Sequence, residues 1–88
     1  MSTRGRPLVH LNGTSRDALL ESYKDPANAL RTALRELERN GPNARDYYPL
    51  GPDAFPAAVA EHVHRMRRVA DVIGELEALM EHVHSAGR

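Results

Sequence analysis

Apolar residues recur along this chain in two long helical patterns. In the first, Leu20, Tyr23, Ala27, Leu30, Leu34 and Leu37 follow one another at steps of three, four, three, four and three, with Leu19 beside them. That rhythm is the heptad seam by which one helix packs along another. In the second, Val59, Met66, Val69, Ile73, Leu76, Met80 and Val83 form a seam interrupted only by His62. Val72 and Leu79 widen the stripe in its C-terminal half, so that half must touch more than one neighbouring helix.

The ends of both helices are signalled. Thr14 can cap an amide near Asp17, and Asn12 with Gly13 makes the turn by which the chain enters the first helix. Asn40, Gly41 and Pro42 supply a left-handed cap followed by a residue that cannot continue a helix. Pro26 interrupts the first helix, and because the seam keeps its phase across it, the pattern predicts a kink and not a new start capped by Asp25. The second helix begins near Asp53, tolerates Pro56 in its first turn and reaches about His84, roughly 45 Å at 1.5 Å per residue.

A short connection makes two such helices neighbours of opposite direction. The expected fold is therefore all-α: an antiparallel helical hairpin over residues 10–84, its first helix kinked at Pro26, with an N-terminal tail (1–9) and a C-terminal tail (85–88). With 88 residues the chain buries only about 60 to 65% of the surface its unfolded form exposes. Small domains make up the shortfall with disulfides, a metal or a partner chain, and there is no cysteine. The breadth of the stripe points to the last of these, a homo-oligomeric bundle whose minimum unit is a four-helix dimer.

No apolar run approaches the ~20 residues of a membrane span, and Met1 to Pro7 lacks the apolar stretch of a signal peptide, so the chain reads as cytoplasmic with no membrane partner. The sequon Asn12-Gly13-Thr14 has little force in that setting. Formal net charge is zero, which argues against a duplex nucleic-acid partner, since displacing counterions takes a net basic face. The charge is unevenly spread: seven arginines stand against five acids from Arg31 to Arg68, and four acids against one arginine from Asp71 to Arg88.

Two of the four aromatic rings, Tyr47 and Tyr48, lie side by side in the loop from Arg45 to Pro52, where proline and glycine fix the backbone. The tyrosines offer flat faces to a base or sugar, Arg45 is a bidentate donor for phosphate or carboxylate, and Arg39 and Arg35 stand one and two turns back. These residues form a candidate site for an anionic small molecule such as a signalling nucleotide. The alternative is a plug: the tyrosines cover the open end of the hairpin, Asp46 closes an Asx turn and the arginines pair with Glu38 and its neighbours.

A second candidate is Asn12, Gly13, Thr14, Ser15 and Arg16, where a helix start exposes free amides beside a positive dipole end, although capping alone also explains these residues. In one hairpin it lies about 35 Å from the tyrosine loop. In an antiparallel dimer the two meet, making a composite site between subunits. Third, Glu61-His62-Val63-His64 recurs as Glu81-His82-Val83-His84. Glu and His at i,i+3 are the spacing of carboxylate-bridged di-iron bundles, but these copies are about 30 Å apart on one helix, so neither a metal nor another cofactor is expected. His62, on the seam, reads as a hydrogen-bonded core histidine. No nucleophile motif, phosphate-binding glycine loop or zinc spacing is present, so no enzymatic activity is expected.

The succession Leu11 to Ser15, an alanine- and leucine-rich helix, Arg45-Asp46-Tyr47-Tyr48-Pro49, then Glu61-His62 with an arginine soon after resembles short helical-hairpin proteins encoded by tailed phages and prophages of GC-rich bacteria, over roughly residues 10 to 84. That group brings no activity with it. The resemblance implies a phage accessory role, with an analogy of fold and size to the sponges that sequester cyclic nucleotide signals of bacterial defence. The motifs associated with the known helical-hairpin sponges are lacking. The expected function is sequestration of an anionic nucleotide-like ligand between subunits, with a structural or assembly protein as the competing class.

Overall fold

The computed structural model describes residues 15–86. Every regular element within them is helical: α1 (Arg16–Arg39), the four-residue α2 (Ala44–Tyr47), a 3-10 turn (Tyr48–Leu50) and α3 (Ala54–Ala86). There is no strand among the described residues, in agreement with the expected all-α class. The tail 1–9 and the residues Asn12, Gly13 and Thr14 lie outside the described residues.

Ser15, one position after the expected Thr14, is the N-cap of α1: the Ala18 N–H donates to its hydroxyl oxygen at 3.2 Å. Ser15 stands three residues before Ala18, the interval at which a cap side chain reaches an unpaired amide. Asp17 in the first turn adds a favourable charge at the dipole's positive end. The helix continues through Pro26 without restarting at Asp25. Pro26 has no N–H for the Ser22 carbonyl, and Ser22 turns its own hydroxyl back onto the Leu19 carbonyl at 2.6 Å.

The end of α1 departs from expectation. Asn40 has φ −117°, and Gly51 is the only described residue with positive φ, so no left-handed cap forms at Asn40 or Gly41. None is needed, because side chains take the free carbonyls instead. The Asn40 side-chain amide donates to the Glu36 carbonyl at 2.7 Å, and the His62 ring reaches the Leu37 carbonyl from α3 at 2.6 Å. α3 starts at Ala54, just past the expected Asp53, and its 33 residues run on past His84 to Ala86.

The two long helices lie against each other, the start of α1 beside the end of α3 and the end of α1 beside the early part of α3. Among the described residues Ala27, Ile73 and Val83 are the buried apolar ones, and His62 is buried as well. Leu20, Tyr23, Leu30, Leu34 and Leu37 are only half covered, as are Met66, Val69, Leu76 and Met80. Early in α3 the seam runs through Phe55 and Ala58, both half-buried, and not through the expected Val59, which is exposed. Counting back from His62, positions three and four residues away are both plausible seam sites, and the packing of Phe55 against Tyr47 selects the latter, Ala58.

A radius of gyration of 18.8 Å, where a compact domain of this length has about 12 Å, and extents of 62 × 26 × 16 Å describe a thin, elongated body. No helix among the described residues is long and apolar enough to cross a membrane.

Candidate functional site

The loop between the long helices is built from short-range bonds. The Asn43 side-chain oxygen accepts from the Arg45 N–H at 3.0 Å and its carbonyl from the Asp46 N–H at 3.0 Å, so Asn43, in place of the expected Asp46, makes the Asx turn and starts α2. Pro49 holds the following 3-10 turn, which ends at Gly51 with φ 100° and ψ 171°, a backbone open essentially to glycine alone. The Ala54 N–H then donates to the Gly51 carbonyl at 3.4 Å and the chain enters α3.

This frame turns the two tyrosines to different tasks. Tyr47 is half-buried and tilts at 47° against Phe55, ring centroids 6.3 Å apart, an aromatic pair that ties the loop to the first turn of α3. Tyr48 is 84% exposed. Between them opens a shallow groove of about 320 Å³ lined by Tyr47, Tyr48, Ala44, Gly51, Pro52, Phe55 and Pro56. No charged side chain lines it. Phe55 was not among the residues singled out from the sequence, although its place eight residues after Tyr47, at the start of an apolar helix, was the available signal.

The arginines expected beside the tyrosines are mostly engaged elsewhere. Arg31 donates to Asn28 at 2.8 Å and to the Glu77 carboxylate across the helix pair, Arg35 donates to the Thr32 hydroxyl at 3.2 Å, and Arg39 donates to Glu36 at 2.9 Å. Arg45 is exposed and its guanidinium has no partner among the described residues. It stands at the loop, beside but not within the groove lining.

Arg16 is far from all of these, at the opposite end of the helix pair. Its guanidinium donates to His84 Nδ1 at 2.7 Å and to the His84 carbonyl at 3.5 Å, closing the last turn of α3. Its Nε is buried with no acceptor. At 24 residues α1 separates Ser15 and Arg16 from the loop by roughly 36 Å, so one chain does not bring the two motifs together.

His62 is a structural residue in this arrangement. A carbonyl can only accept, so Nε2–H donates to Leu37 O at 2.6 Å, and Nδ1 accepts from Arg65 Nη1 at 3.3 Å. Gly41 lies near the same ring: a methyl group there would sit 3.5 Å from His62 Cδ2, ordinary van der Waals contact. Glu61 and His64, from the first of the two repeats, line a shallow depression of about 470 Å³ on the outer face of α3 with Ala60, Arg65 and Arg68. Among the described residues no three His, Asp or Glu side chains converge as metal ligands would.

Compared with protein-family models, with curated proteins and with solved structures, the chain matches none. The chemistry of its own surfaces is therefore what a functional reading rests on: an aromatic groove at one end and a long, half-covered apolar flank.

Proposed function

We propose that the chain is a non-enzymatic helical hairpin that works as a homo-oligomer, an assembly or interaction protein whose apolar flanks bind further helices. One observation carries this reading. Among the described residues only Ala27, Ile73 and Val83 are buried apolar positions, while two heptad seams of leucine, valine and methionine stand half covered. The chain exposes 6772 Å², where a compact monomer of 9.8 kDa exposes about 5,200 Å². Sedimentation across the micromolar range tests it: a concentration-dependent dimer or higher species is expected, and a well-folded single chain at every concentration overturns it.

A second reading is favoured by Tyr48, exposed over an aromatic groove, and by the unpaired Arg45 beside it. Here the groove takes the flat ring of a nucleotide-like ligand and Arg45 takes its anionic group, with Arg39 released from Glu36 to assist and with Asn12 to Arg16 of a second subunit completing the site. This is the sequestering role, in a bacterial host cytoplasm, that the resemblance to phage proteins implies. The absence of any charged side chain from the groove lining puts it second. A ligand at a hundredfold excess over its dissociation constant raises stability by about 2.7 kcal/mol. A panel of cyclic and linear nucleotides that leaves the melting temperature unmoved eliminates those ligands.

A further inference from the structure

The helix pair has two flanks, and the cross-helix contacts distinguish them. Arg31 reaches Glu77, and Leu34 and Glu38 share a groove with Val63, Met66 and Ala70, so these residues mark one side. At about 100° per residue, the opposite side of α1 carries Leu19, Tyr23, Pro26, Leu30, Ala33 and Leu37. The opposite side of α3 carries Arg65, Arg68, Val72, Leu76 and Leu79. None of these eleven residues is buried.

Their spacing is palindromic. On α1 the steps are four, three, four, three and four, centred on Asn28; on α3 they are three, four, four and three, centred on Val72. The two centres are also level with each other. Arg16 lies twelve residues before Asn28 and touches His84, twelve after Val72; Leu37 lies nine after Asn28 and touches His62, ten before Val72. An isologous interface sets residue i of one copy on j of the other and j on i, and stripes spaced alike in both directions about one common level can pair in that way between antiparallel copies.

We infer that a second copy of this chain seats on the flank bearing Val72, related by a two-fold axis at the level of Asn28 and Val72. In this antiparallel four-helix arrangement Val72 meets Val72 of the partner subunit, Leu19 meets Leu37 of the partner subunit and Tyr23 meets Ala33 of the partner subunit. Charge agrees with this register. Arg68 stands four residues before Val72 and Glu75 three after it, on one edge of α3, and neither has an ion-pair partner among the described residues of its own chain. The axis sets Arg68 of each copy against Glu75 of the other, twice. The same operation brings Arg16 of one copy level with Asn40 of the other, at the loop end.

This inference rests on the self-assembly reading and adds the face and the register. Val72 and Val63 are 42% and 41% exposed and lie on opposite flanks, and the chain has no native cysteine, so single Val72→Cys and Val63→Cys variants form a matched pair. Under mild oxidation Val72→Cys is expected to give a covalent dimer and Val63→Cys to stay uncoupled, since a residue on the axis meets its own copy within disulfide reach. Glu75→Arg should weaken the dimer about tenfold, and adding Arg68→Glu to it should restore the association. Cross-linking through Val63→Cys instead, or equally through both, overturns the proposed face while leaving self-assembly standing. A monomer at all concentrations overturns both, and a double variant as weak as Glu75→Arg alone overturns the register.

Discussion

At the loop end of the helix pair the last carbonyls of α1 are met from inside the seam, by the His62 ring, whereas at the other end the last turn of α3 is met from outside, by the Arg16 guanidinium. The two closures differ in stiffness. The imidazole is buried, held by Leu37 on one nitrogen and Arg65 on the other. The guanidinium sits on a long side chain, makes exposed bonds and leaves its Nε without an acceptor. A buried donor without a partner forfeits much of what its neighbours gain. The loop that carries Tyr47 and Tyr48 therefore stands on a fixed frame, and the far end is the adjustable one.

The largest way to break this contrast is at His62. His62→Ala removes a buried ring and the side-chain donor to Leu37, and is expected to cost about 2 to 3 kcal/mol in urea denaturation at fixed protein concentration. A loss no greater than that of Arg16→Ala would erase the distinction between the ends. Next comes the loop itself. Gly51→Ala meets no neighbouring atom within 4 Å, so its penalty is backbone strain alone, about 1 to 2 kcal/mol, accompanied by an altered near-ultraviolet dichroism from the tyrosines. An unchanged tyrosine signal would mean that the glycine does not set the groove. Smallest is Arg16→Ala, which exchanges exposed bonds for water and should stay within about 1 kcal/mol. A larger loss would make the far end as rigid as the loop end.

The fold was legible where its determinants are local. The α1 seam from Leu20 to Leu37 and the termination at Asn40 follow from spacing and from residues that stop a helix. What spacing could not resolve was decided across the structure. Ser15 and Thr14 are chemically equivalent caps one residue apart, and Val59 and Ala58 are both acceptable continuations of a stripe until Phe55 packs on Tyr47. The left-handed cap was expected from Asn40 and Gly41 because a chain read locally offers the α1 carbonyls no other partner. His62, more than twenty residues later, supplies one.

The candidate site divides in the same way. The aromatic pair at Tyr47 and Tyr48 was visible as two rings in a stiff loop, but not the groove it borders, which takes Phe55 and Pro56 from the first turn of α3. The arginine stripe was visible as well, but not its engagement: Arg31 is tied to Glu77 in a distant helix, and Arg39 is spent on Glu36. A periodic charge pattern gives a face, and only the packing of the second helix says which charges on that face are left over.

The proportions of the molecule bear on how it opens. In a slab 62 Å long and 16 Å thick, most cross-helix partners lie level with each other, so melting at one tip need not disturb the other. Amide exchange along α1 and α3 should form a gradient, slowest near Ala27 and Ile73 and fastest toward Arg16 and Ala86, in place of a single plateau. A stretch of slow amides drawn off centre along either helix would trace where a second body leans upon the rod.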